Sequence, residues 1–171
     1  LDPRCADAHY RLGLMAADDQ MWPAAETYLR RAIRLDANHP GCHAAMADVY
    51  ERQGQTRAAC SHAWKAIGLA PEEAAYWRLL ALMLWRAGRR KAALEVLDQS
   101  LMHSDGVELM YLRAVCLFGL GRRNSALRQL RQALRSDYIR HTLLFEWQPA
   151  LRDDLGVQTL LTGFRDRANS L

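Results

Sequence analysis

Residues 77–101, WRLLALMLWRAGRRKAALEVLDQSL, decide the fold. Trp77, Leu80, Ala81 and Leu84 fall at i, i+3, i+4 and i+7, the apolar stripe of one helix face. Ala93, Leu94, Leu97 and Leu101 make a second stripe of the same period. Gly88 lies between them, where the chain must reverse and a residue with positive φ is easiest to place. The stretch therefore predicts two antiparallel helices joined by a tight turn.

The same pattern recurs on either side. Gly13, Ala47, Ala81 and Ala114 form a column of small residues at steps of 34, 34 and 33. Ala25, Ala59, Ala93 and Ala126 keep those steps, as do Ala32, Ala66, Ser100 and Ala133. A fourth column, Gln20, Gly54, Gly88 and Gly121, marks the turns. Small residues are required where two helices cross closely, which gives the columns a physical reason. The expected units are 6–39, 40–73, 74–106 and 107–137, each a helix–turn–helix.

These units resemble tetratricopeptide repeats. The second carries Met46-Ala47, Tyr50, Gly54, Ala59, Ala66 and Pro71; the third carries Trp77, Leu80-Ala81, Leu84, Gly88, Ala93 and Leu97. The first reads Leu12-Gly13, Ala25, Leu29 and Ala32, and Leu1-Asp2-Pro3 matches the close of a preceding unit. The resemblance implies an all-α fold, a right-handed superhelical solenoid of antiparallel helix pairs. Three departures stand out. Gln20 replaces the turn glycine, the closing Pro is missing from three units, and Arg113 falls where a first-helix Leu is expected. A fifth unit fails because Pro149 would sit inside its first helix. Instead, 138–147 is read as one short helix, 148–156 as a turn and 157–168 as a closing helix. Val157, Leu160, Leu161 and Phe164 form the closing helix's apolar stripe. Residues 138–171 then cap the array, as solenoids require.

Composition agrees with a folded protein: 171 residues, 50% hydrophobic and 25% charged, with no apolar run long enough for a membrane span. Net charge is +4. Of 23 basic residues only Lys65 and Lys91 are Lys, an Arg bias that points to a GC-rich, bacterial coding sequence. The cysteines Cys5, Cys42, Cys60 and Cys116 include no CxxC pair and are expected as free thiols. That favours a cytoplasmic location, or a periplasmic one if a signal precedes the chain.

Motifs of catalysis are missing: no GxSxG, no phosphate-binding glycine loop and no HExxH. Gly119 and Gly121 make a GxG at a helix end, a turn between helices. His39 and His43 are four apart, but no further ligand stands at zinc spacing, so they are expected to cap a helix or lie at the surface. His62 is expected at the surface or half-buried. No enzyme activity, metal or cofactor is expected. Arg122, Arg123, Arg128, Arg131 and Arg135 belong to a helix face that meets water, with the aromatics on the other side. Nucleic acid is accordingly not an expected partner.

The resemblance places the first helix of each pair on a concave groove. The residues expected to face it are Tyr10, Arg11, Leu14, Asp48, Arg52, Arg78, Leu82, Trp85, Arg86, Tyr111, Val115 and Phe118. Trp85 is the expected anchor for a partner segment, unless the closing helix covers Trp85 and Phe118 as core. Co-chaperones of this family that grip a chaperone's C-terminal carboxylate use Lys, Asn and Arg on successive first helices. Here Tyr10, Leu14, Ala45, Arg78 and Leu79 occupy those places and the Asn residues are missing, so that activity is not expected. The function expected is a noncatalytic scaffold that binds another protein or peptide. The alternative is an accessory domain that positions a substrate in a larger enzyme or export machine.

Overall fold

The computed structural model describes residues 5–168. Leu1-Asp2-Pro3, read as the close of a preceding repeat, lies outside them. Regular structure among the described residues is entirely helical. Eight helices follow one another: α1 (Ala6–Asp18), α2 (Trp22–Leu35), α3 (Pro40–Arg52), α4 (Thr56–Leu69), α5 (Ala74–Arg86), α6 (Arg90–Ser100), α7 (Val107–Gly119) and α8 (Arg123–Ser136); α1 packs on α2, α3 on α4 and α7 on α8. A 3-10 turn (Ile139–Thr142), α9 (Leu143–Trp147), a second 3-10 turn (Pro149–Asp153) and α10 (Leu155–Ala168) complete the chain. It divides into two compact units, Leu1–Met83 and Leu84–Leu171, which part inside α5.

The small-residue columns are the contact seams. Ala25, Ala32, Ala47, Ala59, Ala66 and Ala81 have no exposed surface, nor do Ala93, Ala114, Ala126 and Ala133. At Gly13 a Cβ would lie 2.7 Å from Leu29 Cγ, so α1 approaches α2 closer than any larger residue permits.

The turns share one backbone device. Gly54, Gly88 and Gly121 have φ of 75, 73 and 72°, and Gln20 has φ 60°. The next residue's N–H reaches back five positions in every case: Met21 to Ala16 O (2.8 Å), Gln55 to Tyr50 O (2.8 Å), Arg89 to Leu84 O (2.9 Å) and Arg122 to Leu117 O (2.9 Å). This is the Schellman closure, in which a left-handed residue lets an orphan helix carbonyl find a donor. Three turns meet the requirement with glycine; the first does so with Gln20, at the steric cost of a Cβ.

In the second unit the closing segment departs from the expected outline. Residues 138–147 are not one helix: a 3-10 turn precedes the five-residue α9. Residues 148–156 are not a plain turn, because Pro149–Asp153 coil as a 3-10 helix that buries Leu151. α10 starts early, at Leu155, because Asp154 caps it. The Asp154 carboxylate accepts the Val157 N–H (3.0 Å) and pairs with the Arg123 guanidinium. That guanidinium holds the Asp154 carboxyl below the usual carboxylate range. Val157 and Leu161 enter a core with Leu144, Leu151, Leu130 and Leu134. Arg113, out of place in the Leu column, is answered by Asp98 (Nε to Oδ1, 2.7 Å) and by Gln129, while Leu112 beside it is buried.

Gln20→Gly is expected to stabilise the protein by about 0.5–1 kcal/mol, since glycine carries no left-handed penalty, and Gly54→Ala to destabilise it by about 1 kcal/mol. Urea unfolding of both variants checks this; equal midpoints for Gln20→Gly and wild type would show the turn to be unstrained.

Candidate functional site

In the first unit, two of the sequence-predicted residues share one region. Asp48 and Arg52, one turn apart on α3, line a hollow of about 320 Å³ with Ala17, Asp18, Gln20 and Trp22 from the end of α1 and the start of α2. Asp48 Oδ1 and Arg52 Nε are 3.7 Å apart, both side chains solvated. An ion pair of that kind contributes little to stability, so either charge is available to a partner. Trp22 supplies an apolar wall, and the left-handed Gln20 projects its side chain where the other turns have none. Neither Gln20 nor Trp22 was singled out by the sequence as a site residue. The signal was present, because Gln20 is the one non-glycine in its column.

Arg11 and Leu14 are exposed on α1. Tyr10 is half-buried: its ring lies 4.8 Å from that of His39, and its hydroxyl sits over Gly41, where a Cβ would come within 3.0 Å. Burial pushes the Tyr10 phenol up. Arg78 is half-buried, whereas Leu82, expected in the groove, is 8% exposed and belongs to the core.

The second unit corrects the groove further. Tyr111 and Val115, expected at its surface, have no exposed area. Tyr111 donates its hydroxyl to Asp137 O at 2.6 Å, and both residues pack with the closing helices' Leu144, Val157 and Leu161. Trp85 and Phe118 are half-buried against the same core. The Trp85 ring lies on Gly119, where a Cβ would be 2.4 Å from Cη2, and Arg90 stacks over it at 5.3 Å while donating to Gly119 O at 3.0 Å. Gly119 therefore serves Trp85 packing rather than the turn. Arg86 is exposed.

Among the histidines, His43 differs from expectation. His39 caps α3 as read, its Nδ1 accepting the Cys42 N–H at 3.1 Å. His43 is 4% exposed, not at the surface, and its Nδ1 faces His62 Nδ1 at 3.1 Å. The Ala37 carbonyl, 3.1 Å from His43 Nε2, can only accept, so His43 Nε2–H donates and its Nδ1 is bare. His62 Nδ1–H must then donate to it. These roles are those of two neutral rings, joined by one proton between the two Nδ1 atoms. Burial lowers both pKa values, that of His62 to about 4, with His43, Lys65 and Arg30 adding repulsion. The Tyr50 ring packs on His62 at 5.5 Å. Residues 19 apart across a turn give no sequence signal of pairing. No group of three or more metal-ligating side chains occurs among the described residues.

None of the four cysteines is in a disulfide: Cys42 and Cys116 are buried, Cys60 half-buried and Cys5 exposed. Burial pushes the Cys42 thiol up to about 11 and the Cys116 thiol up to about 12, which makes both poor nucleophiles. Among the described residues no helix is long and apolar enough to cross a membrane.

Small-residue seams, left-handed turns and helix pairs at a fixed interval define a helical-repeat protein. The family model for the tetratricopeptide repeat matches residues 1–40 and 44–106, and the chain belongs to that family. Tetratricopeptide proteins are in general protein-interaction scaffolds and non-catalytic. No curated protein sequence matches the chain. Solved structures share the fold at low identity. YrrB, described as a tetratricopeptide protein with an unusual peptide-binding site, is 16% identical, with 96% of this chain and 87% of that one covered and a TM-score of 0.67. PilF of Pseudomonas aeruginosa is 17% identical, covering 94% and 75%, with a TM-score of 0.72. A thermophilic tetratricopeptide protein of Thermus thermophilus is 22% identical, covering 88% and 83%, with a TM-score of 0.68.

The unfolded chain binds protons to its histidines from about pH 6.5 downward, whereas folded His62 resists until about pH 4. The contribution of His62 is complete above pH 6.5 and declines as pH falls toward 4. Denaturant midpoints measured between pH 7 and 4.5 should drop more steeply for wild type than for His62→Gln; parallel curves would contradict the neutral pair.

Proposed function

We propose that the protein is a binding scaffold whose partner segment is seated in the first unit, at the hollow of Gln20, Trp22, Asp48 and Arg52. Units 6–39, 40–73, 74–106 and 107–137 are the four repeats in this reading, and 138–171 closes the array. The observation that carries it is Gln20. A left-handed backbone at a non-glycine residue costs on the order of 1–2 kcal/mol, and such strain concentrates at functional sites. Here it puts an amide side chain, able to donate and accept, at the rim of a hollow with two acids, one base and an indole. A peptide backbone needs such a group for its own N–H and C=O, and Asp48 and Arg52 can exchange their weak mutual pair for partner charges. Arg11 and Leu14 extend the surface on α1. In the second unit Trp85, Arg86 and Phe118 remain partner-contact candidates; Leu82, Tyr111 and Val115, being buried, do not.

A random peptide library displayed on phage and selected on the intact protein supplies a ligand, whose affinity is then measured by titration. Asp48→Ala with Arg52→Ala should weaken it tenfold or more, and Gln20→Gly should weaken it while raising stability. Unchanged affinity in both folded variants would place the contact elsewhere.

A further inference from the structure

In the second unit, α8 and α10 flank a separate hollow of about 310 Å³, lined by Arg131, Arg135, Thr159, Leu160, Gly163 and Phe164. It lies on a second helix and the closing helix, away from any first helix. The sequence reading assigned these arginines to a water-facing surface with the aromatics opposite; Phe164 instead shares the hollow with them.

Three features meet at the hollow. First, its arginines are unanswered. Arg113, Arg123 and Arg140 in this unit each have a carboxylate, from Asp98, Asp154 and Glu108. Arg131 and Arg135 are exposed and have no ion-pair partner among the described residues. Second, half-buried Leu160 and Phe164 give the cations an apolar floor. Third, Gly163 sits within α10 although neither packing nor a turn asks for it. A Cβ there would meet nothing within 4 Å, and its φ is not positive. Glycine in a helix interior lowers stability relative to alanine. Its effect here is to leave the α10 backbone bare at the hollow's edge.

We propose that this hollow binds an extended acidic peptide segment of the form acidic–apolar–acidic. Arg131 and Arg135 are one helical turn apart, so their stems rise about 6 Å along α8. Alternate residues of an extended chain are about 6.6–6.8 Å apart on one face. Two carboxylates at i and i+2 thus meet the two guanidinium groups in register, each able to form a bidentate pair. The side chain at i+1 points the opposite way, toward Leu160 and Phe164 on α10, and Gly163 gives the peptide backbone room to approach. The volume of about 310 Å³ has room for one apolar side chain together with the flanking peptide. A nucleic-acid strand would need a longer basic track with repeated stacking surfaces, and Phe164 is the single aromatic in the lining.

The test uses the intact chain and a fluorescein-labelled peptide, capped at both ends, with the core Glu-Leu-Glu. Fluorescence anisotropy should show saturable binding that weakens at least tenfold when the core becomes Gln-Leu-Gln or Glu-Ser-Glu. Arg131→Ala with Arg135→Ala should weaken it at least tenfold, whereas Arg128→Ala, which removes a neighbouring charge held by Ser125, should change it less than twofold. Gly163→Leu should fill the hollow and weaken binding while raising Tm by about 2–4 °C through helix propensity. The proposal is overturned by absent or unsaturable binding, by equal losses for Arg128→Ala and the double variant, or by full affinity in Gly163→Leu. A single-stranded oligonucleotide of matched charge that displaces the peptide and outbinds it would overturn it in favour of nucleic acid.

Discussion

Each helix pair depends on how closely its two backbones can approach. Bulk at the crossing would force them apart, and residues without bulk hold them together through many weak contacts that a wider gap would forfeit. Gly13 against Leu29 is one such seam, with no room for a single methyl. The alanines at 25, 32, 47, 59 and 66 play the same part in the first unit, all without exposed surface. The left-handed turns follow from this constraint. Helices packed so tightly must reverse within a few residues, and a Schellman closure achieves it while satisfying a carbonyl that would otherwise be orphaned.

A scaffold fixed in this way leaves its outward side chains open to variation, and function is read from departures. At Gln20 the chain keeps a side chain where the turn favours none. At Gly163 it omits one where a helix favours any. Each exception opens onto a hollow with charged groups, one in each unit. The two differ in character: Asp18, Asp48 and Arg52 give mixed charge beside Trp22, while Arg131 and Arg135 are purely basic beside Phe164.

The repeat was legible because it is periodic. Four columns of small residues in one register leave few alternative folds, and glycine in a turn column reports its own backbone angle. What was not legible depends on aperiodic contacts. Tyr111 and Val115 occupy positions that the repeat pattern would leave open, and only the closing segment decides that they are core. That segment folds through two 3-10 turns and an Asp154 cap that carry no repeat signal. Leu82 fails as a groove residue because helix-face geometry alone does not fix how deeply a position sits. His43 and His62 meet through tertiary packing, and neither is in a motif. The sequence placed Arg131 and Arg135 on a surface helix, and nothing local could reveal that Phe164 would join them.

The helix-crossing constraint is tested most directly by enlarging one seam residue. Ala59 has no exposed surface. Ala59→Leu should overpack the seam and lower the unfolding free energy by about 1–3 kcal/mol, measured by urea denaturation with the m-value unchanged. A stability equal to wild type would mean that the seam tolerates bulk, and the role assigned to the small-residue columns would be wrong.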